Sequence, residues 1–432
     1  MIKTEQFREK ASSVYVYLLL TAYILCPPPE GYRAIVEFKY ALFMGMTACY
    51  AAAMLLSLFL ARKTLGRLRR EELLALAFLG FTALSALLSP WREHTLIGTD
   101  RRDGLLTALA YTAIFFFLAR HFRPKREHLY AFAFSATAYC AVVILQMCGR
   151  NPFGMYPRGL TYFDANVRYS GVYIGTLGNA DIAAAVLCMA PPAFFTAAVF
   201  RRKSPFELLL LVPAALCLAV LIETNCAGGS CAAVAATILA VPAACRSKKV
   251  RRISAAAALT AGALFIVWLL CYRGKQWGVF HQASELLHGR AEESYGSGRI
   301  YIWKRVLEKV PERLLFGGGP DTLPLRGIAP YEWLRADGKL ISSEITAAHS
   351  EYLNILVNCG AFALAAYLAL LVSAAARWYR RGGGAARTVC GAAACAYLAQ
   401  AFFGVSMCLN TPFLWLALAC VCSFKEEKRP GG

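Results

Sequence analysis

The chain has 432 residues, of which 58% are hydrophobic, and its mean hydropathy is +0.48. This apolar share exceeds that of soluble domains and excludes an ordinary water-soluble fold. The formal net charge of +20 could suggest a nucleic-acid ligand, but the basic residues cluster between apolar runs, and this placement indicates a membrane protein with no nucleic-acid partner.

Long apolar runs that are almost free of charge recur along the whole chain. About 20 such residues cross roughly 30 Å of hydrocarbon as a helix. The sequence therefore predicts an all-α polytopic membrane protein with about twelve transmembrane helices. The runs lie near residues 12–26, 40–61, 72–89, 104–119, 129–148, 179–200, 206–223, 227–245, 253–272, 351–376, 388–409 and 411–424.

The segments between the runs carry their positive charge unequally on the two sides of the membrane. One set of alternating segments, both termini included, holds 27 of the 46 Lys and Arg residues, and the short connections on the opposite side hold eight. Cytoplasmic loops carry the excess of positive charge. Both termini are therefore predicted to be cytoplasmic, and the long polar insert is predicted to face outward.

The long insert divides the chain into three predicted regions. Loops of this size are usually functional or disordered, and the helical spacing of its apolar residues, ending near Pro311, predicts short amphipathic helices and argues against disorder. The regions are membrane spans one to nine at residues 1–272, an extracytoplasmic catalytic loop at 273–350, and spans ten to twelve with a cytoplasmic tail at 351–432.

Arginines recur in the predicted outward segments. Arg101 and Arg102 stand between Asp100 and Asp103. In one interpretation an aspartate caps the next helix while the arginines lie among lipid headgroups. In the other, one arginine binds a phosphate, and the two interpretations stay open.

A second outward segment, residues 151–178, carries Arg158 and Arg168. It leads into a helix whose predicted cap is Asn179 or Asp181. Backbone N–H groups at the start of a helix attract anions, so this segment is a further candidate for phosphate binding.

Two residues of the insert are candidates for chemistry. Arg299 lies in the first turn of a predicted helix, where a cation opposes the helix dipole and a bound anion would remove the conflict. His349 directly precedes the tenth run, and a helix N-terminus favours the neutral imidazole that accepts a proton. For both residues a simple position at the membrane surface is the alternative interpretation.

Taken in order, four passages resemble the O-antigen ligase and polymerase family of membrane glycosyltransferases. They include the Gly-Arg-x-x-x-Trp phrase at Arg299, the Gly-Gly-Gly-Pro-Asp phrase that follows it, and the His-Ser-Glu-Tyr-Leu phrase at His349. The passages are residues 98–106, 175–181, 298–321 and 349–360.

This resemblance implies an activity. The donor would be a glycan on a polyprenyl diphosphate, presented at the outer face of the cytoplasmic (plasma) membrane among its lipids. The acceptor would be a hydroxyl of a glycan, lipid or protein. His349 matches the family's general base and Arg299 a diphosphate-binding arginine, and further candidate substrate contacts are Arg102, Arg158, Arg168, Trp303 and Tyr352.

The sequence also departs from the family pattern. Many members have an arginine where the eighth span begins, but residues 224–229 contain none. Another arginine must then supply that contact, and Arg102, Arg158 and Arg168 are the candidates. The family's His-Asn pair is His349-Ser350 here, a minor change because serine also caps helices.

No cofactor or metal is expected, since no acidic cluster suited to Mg²⁺ stands out on the outward face. A transporter or flippase of lipid-linked oligosaccharide is the alternative function. Such proteins often show paired repeats and buried charge near the membrane midplane. Neither feature is apparent in the sequence.

Overall fold

The computed structural model describes residues 2–61, 66–164, 172–245, 247–274, 278–334, 338–380 and 384–423. It is mostly helical, at 71% of residues, and this confirms the predicted fold class at the level of a helical membrane protein. The predicted Arg168 lies outside the described residues.

Helices of the first half of the chain vary from single turns to membrane-crossing length. They are α1 (Ile2–Leu20), α2 (Ala22–Leu25), α3 (Ile35–Leu60), α4 (Arg70–Leu88), α5 (Arg92–Thr95), α6 (Leu105–His121), α7 (Arg126–Met147), α8 (Ala180–Leu187) and α9 (Ala190–Phe195). A short hairpin, β1 (Tyr173–Ile174) and β2 (Gly178–Asn179), leads into α8.

The second half has three helices between residues 211 and 270, two in the insert and three after the insert. They are α10 (Leu211–Glu223), α11 (Ala227–Ala244), α12 (Lys248–Leu270), α13 (Val279–Leu287), α14 (Tyr295–Lys309), α15 (Glu351–Tyr379), α16 (Ala385–Gln400) and α17 (Thr411–Val421).

Within the described residues, eight helical stretches are long and apolar enough to cross a membrane, and α6 and α17 are shorter apolar helices. The predicted total of twelve therefore stays a prediction. The eight stretches are Gly31–Leu60, Arg70–Leu88, Arg126–Met147, Ala180–Phe200, Pro205–Glu223, Ala227–Ala244, Lys248–Leu270 and Glu351–Tyr379.

The predicted run at 388–409 is only partly helical. Helix α16 ends at Gln400, and residues 401–410 form turns and extended backbone. Some carbonyl groups of this irregular segment accept hydrogen bonds from side chains, among them Phe403 O and Cys408 O, and two of its residues reach the candidate site described below.

The insert holds two helices, α13 and α14, of which the sequence located α14, and also a hairpin that the sequence did not predict. Strands β3 (Tyr331–Leu334) and β4 (Leu340–Ser343) pair antiparallel, with Tyr331 opposite Ser343 and Trp333 opposite Ile341. Residues two apart on a strand share a face, so Tyr331 and Trp333 lie on the same side of this hairpin.

Ion pairs fix one end of the helix bundle. At the start of α4, Glu71 accepts hydrogen bonds from Arg377 at 2.7 and 2.9 Å, and Glu72 pairs with Arg120 at the end of α6. Carboxylates at helix starts and cations at helix ends both agree with the helix dipoles. The start of α4 is thereby tied to the ends of α6 and α15, and α15 also packs along the whole of α4.

Helix α15 is broken at Gly360, whose φ of 87° and ψ of 175° are not helical. The backbone groups freed by the break pair with residues 314–319 of the insert. Gly318 N and Gly319 N donate to Val357 O and Asn358 O at 3.1 and 2.8 Å, and Ala361 N donates to Leu314 O at 2.8 Å. Buried backbone groups need partners, so the insert completes the membrane helix.

We expect Gly360→Ala to destabilise the protein. Its backbone conformation is open almost exclusively to glycine, and a Cβ would lie 2.3 Å from Leu315 O, so the loss should be at least about 1–3 kcal/mol. Thermal unfolding in detergent measures the change. Gly262→Ala is the matched control, because a Cβ there meets nothing within 4 Å; equal melting temperatures for the two variants would contradict the account.

Candidate active site

His349 lies in the turn that starts α15. Its φ of 46° is unusual for a residue with a side chain. The turn is held by the Asn354 side chain, whose Oδ1 accepts a hydrogen bond from Ala348 N at 3.3 Å. Ser350 occupies the N-cap position of α15, but its side chain makes no capping hydrogen bond, so the turn does not depend on the expected serine cap.

Two arginines face the imidazole of His349. Burial, followed by the positive charges of Arg101 and Arg299, lowers the pKa of His349 to about 3. The residue keeps part of its surface accessible although protein atoms crowd the ring. His349 is therefore neutral at physiological pH, as predicted, but the causes are burial and two guanidinium groups rather than the helix dipole.

Arg299 is positioned by an unusual turn at the start of α14. Gly296, Ser297 and Gly298 all have positive φ, and the right-handed helix continues from Arg299. The guanidinium donates to Asp181 Oδ2 at 2.6 Å, Gly296 O at 2.8 Å and Phe403 O at 3.1 Å. The predicted conflict between this cation and the helix dipole is thus offset by a carboxylate of the protein itself.

The partner, Asp181, lies in the first turn of α8. Asn179 is the N-cap, and its side chain accepts a hydrogen bond from Asp181 N at 2.8 Å. Of the two caps predicted, the structure has Asn179, which leaves the Asp181 carboxylate for Arg299. Cys226 is buried beside this ion pair, so the stretch 224–229 without the family's arginine does lie at the site.

Arg101 enters from the segment between α5 and α6. Its Nη2 donates to Thr346 Oγ1 at 3.1 Å, whereas its buried Nε has no hydrogen-bond partner among the described residues. Burial lowers the pKa of Arg101, and the nearby Asp321 carboxylate opposes that effect. A buried guanidinium with unused N–H groups can bind an anion.

A cavity of about 50 Å³ lies next to the segment between α5 and α6, and its lining includes the carboxyl groups of Asp103 and Asp321. Asp103 accepts hydrogen bonds from Tyr111 and Ser406, both at 3.1 Å, and Asp321 accepts one from Thr99 N at 2.7 Å. Burial and the Asp321 carboxylate raise the pKa of Asp103 to about 8. Burial raises the pKa of Asp321 to about 6, although Arg101 opposes the rise.

The other predicted arginines are placed elsewhere or fall outside the described residues. Arg102 has positive φ and lies 3.8 Å from Glu37. Arg158 is exposed in a turn, and Arg168 is not among the described residues. The arginine that shares the surroundings of His349 with Arg299 is Arg101, which the sequence offered only as an alternative to Arg102.

Trp303 and Tyr352 both contact the irregular segment after α16. The Trp303 ring lies 6.0 Å from that of Phe403, and its buried Nε1 has no hydrogen-bond partner among the described residues. Tyr352 donates its hydroxyl hydrogen to Leu398 O at 2.8 Å and packs its ring 4.6 Å from Phe402. The Tyr352 hydroxyl is therefore already occupied.

A comparison with known protein families supports the resemblance found in the sequence. Residues 212–368 match the family model described as O-antigen ligase. The match supports the family predicted from the sequence, and it contains Arg299, Trp303, His349 and Tyr352. Arg101 lies outside the O-antigen ligase match. No curated protein matches the chain.

The raised pKa of Asp103 has a consequence for stability. The folded protein keeps this proton up to about pH 8, whereas an unfolded aspartate loses it near pH 4. The free energy of unfolding should therefore fall as the pH rises from about 4 to about 8. The range from pH 6.5 to 8 is the part to measure, because histidine side chains are mostly neutral there in both the folded and the unfolded protein.

We expect the melting temperature in detergent to fall between pH 6.5 and 8, and this fall to be smaller in Asp103→Asn. Asparagine keeps a polar group for Tyr111 and Ser406 without an ionisable proton. Asp100→Asn, in the same segment but exposed, should keep the wild-type slope. The same slope in all three proteins would show that Asp103 does not hold its proton.

Proposed function

We propose that this protein is a membrane glycosyltransferase of the O-antigen ligase or polymerase kind. It transfers or polymerises glycan from a polyprenyl-diphosphate donor onto an acceptor hydroxyl. One observation carries the proposal: a neutral His349 shares its surroundings with two partly buried arginines, Arg101 and Arg299, within and beside the segment that matches O-antigen ligase.

In the proposed reaction, His349 acts as the general base. A sugar hydroxyl is a poor nucleophile at neutral pH, and a positioned base contributes about 10²–10⁴-fold. The imidazole takes the proton as the hydroxyl oxygen attacks the anomeric carbon. The bond from that carbon to the diphosphate oxygen breaks, and the lipid diphosphate leaves with the electron pair.

The arginines stabilise the leaving diphosphate. Arg299 already donates to three protein oxygens, and a guanidinium has five N–H groups, so it keeps two for a ligand. Arg101 has more unused donors. We propose that Arg101 fills the role of the arginine missing from residues 224–229; Arg102, Arg158 and Arg168 stay predictions, as do Trp303 and Tyr352 as substrate contacts.

Donor binding would also change the basicity of His349. Burial and then the two guanidinium groups lower its pKa. A diphosphate bound between them would offset their charge, and a nearby anion favours the imidazolium. The pKa of His349 should rise once the donor is bound, which makes it a stronger base in the complex.

The proposed location is the cytoplasmic membrane, with both termini inside and the active site outside. The three proposed regions remain residues 1–272, the catalytic loop 273–350, and 351–432. In support, the ion pairs of Glu71 and Glu72 bring together segments that the charge distribution assigns to the cytoplasmic side.

Transport of a lipid-linked oligosaccharide is the alternative function, and a buried charge within a span would be the feature that favours it. Lys39 is a buried cation within a candidate span, but its Nζ donates to Tyr23 O and Ile24 O where α2 ends. Helix ends leave carbonyls without intrahelical partners, so this lysine has a structural explanation.

Replacing His349 by asparagine should abolish transfer. Asparagine tolerates positive φ, so the turn is preserved while the base is lost, and we expect a fall of about 10²–10⁴-fold in turnover. The assay uses protein in nanodiscs with a polyprenyl-diphosphate oligosaccharide, alone and with candidate acceptors, and follows products by mass spectrometry.

The control is His288→Asn, an exposed histidine of the same insert, which should keep full activity. Retained turnover in His349→Asn would remove the general-base role. No turnover by the wild type with any donor, together with donor movement across proteoliposomes, would favour a transporter.

Arg299→Lys should also lower turnover, by about 10²–10³-fold. An ammonium group cannot donate the paired, planar hydrogen bonds by which a guanidinium holds Asp181 and a diphosphate together. Arg290→Lys in the same insert is the control, since Arg290 is exposed and pairs with Glu285 at 2.8 Å. A melting curve of each variant separates loss of chemistry from loss of fold. Near-normal turnover in folded Arg299→Lys would reduce this residue to an arginine at the membrane surface.

A further inference from the structure

A groove of about 390 Å³ lies on the insert between α14 and the β3–β4 hairpin. Ligand sites in proteins have volumes of this order. Its lining combines aromatic and polar side chains rather than aliphatic ones. The lining residues include Glu293, Ser294, Tyr301, Tyr331, Glu332 and Trp333.

Three aromatic rings form a continuous surface in this groove. Tyr331 and Trp333 are stacked, with ring centroids 5.4 Å apart and planes inclined by 22°, and Tyr301 lies 5.3 Å from Tyr331. Trp333 remains 39% exposed. An exposed tryptophan held against a second ring offers a flat, rigid face at low entropic cost.

The groove is fixed directly beside the proposed diphosphate site. The Tyr331 ring packs against Gly298, where a Cβ would lie 2.6 Å from Cε1. The next residue along the chain is Arg299. Tyr301 also donates its hydroxyl hydrogen to Pro330 O at 3.1 Å, so the hairpin and the helix that carries Arg299 hold each other.

The chemistry of the groove favours a sugar over a lipid surface. Among the described residues that line it, two are acidic and none is basic. The two cations that adjoin the groove are each paired with a carboxylate: Lys304 with Glu293 at 3.0 Å, and Arg305, whose guanidinium lies 5.2 Å from the centre of the Tyr301 ring, with a glutamate of its own helix. An anionic membrane surface attracts basic segments instead. The C–H faces of a pyranose ring carry partial positive charge and pack on the negative faces of aromatic rings. Carboxylates and hydroxyls such as those of Glu293 and Ser294 accept hydrogen bonds from sugar hydroxyls.

We propose that this groove, the aromatic platform of Tyr301, Tyr331 and Trp333, binds pyranose rings of the glycan being transferred. The inference rests on the proposed transferase function. The rings belong either to the donor glycan behind its first sugar or to the acceptor glycan, and both present the same chemistry.

A binding test independent of turnover uses the full protein in nanodiscs on an array of bacterial-surface oligosaccharides. Wild-type protein should bind a subset of the glycans, Trp333→Ala should lose that subset, and Trp333→Phe should keep part of it. Leu334→Ala is the matched control, because Leu334 neighbours Trp333 on β3, is exposed and does not line the groove. It should bind as the wild type does.

Kinetics then distinguish the two sources of the sugar. Trp333→Ala should raise KM by up to about tenfold, as loss of one aromatic stacking partner implies, with little change in kcat. A rise for the donor alone assigns the platform to the donor glycan, and a rise for the acceptor alone assigns it to the acceptor.

The proposal and the transferase function fail in different ways. Array binding that depends on Trp333 without any turnover would overturn the transferase function and keep the sugar site. Turnover with unchanged KM and no Trp333-dependent array signal would overturn the sugar site. The fluorescence of Trp333 is the difference in emission between the wild type and Trp333→Phe. If brominated lipids quench that fluorescence and the array shows no Trp333-dependent binding, the hairpin is a membrane contact and the sugar site is overturned.

Discussion

The backbone pairing between the broken helix α15 and residues 314–319 is the interaction on which the site depends. A helix interrupted inside a membrane protein leaves N–H and C=O groups that must be paired within the protein. The insert supplies those partners at Leu314, Gly318 and Gly319. Two residues further along, Asp321 reaches Thr99 N, so the same pairing brings the α5–α6 segment, and with it Arg101, toward the start of α15.

At the site, the charges of two partly buried cations are balanced by several carboxyl groups. Asp181 neutralises Arg299 directly at 2.6 Å, whereas Asp321 lies near Arg101 and itself shares surroundings with Asp103. Because burial raises the pKa of both Asp103 and Asp321, they carry less negative charge than their number suggests. The site therefore keeps a positive bias toward anions, and Arg101, which has no ion-pair partner among the described residues, contributes most to it.

The sequence predicted those elements that depend on the spacing of apolar residues alone. Apolar runs predicted the helical membrane fold, and apolar spacing predicted α14 with Arg299 at its start. The break at Gly360 was not predictable because the apolar run continues through it, and the partner segment lies some 40 residues away in sequence. Arg101 and Arg102 could not be separated because a positive φ at Arg102 redirects adjacent side chains, a backbone detail that composition does not carry. The β3–β4 hairpin was not predictable because its strands are only four residues long, too short for the alternation of apolar and polar residues to stand out.

The glycines of this structure have a consequence for genetic screens. Gly298 is packed against Tyr331 and Gly360 against Leu315, and neither has a side chain that could touch a substrate. A random-mutagenesis screen for lost glycan transfer would nevertheless recover both positions beside His349. Protein abundance in the membrane would have to be scored for every mutant, because defective assembly and defective chemistry would give the same colony phenotype.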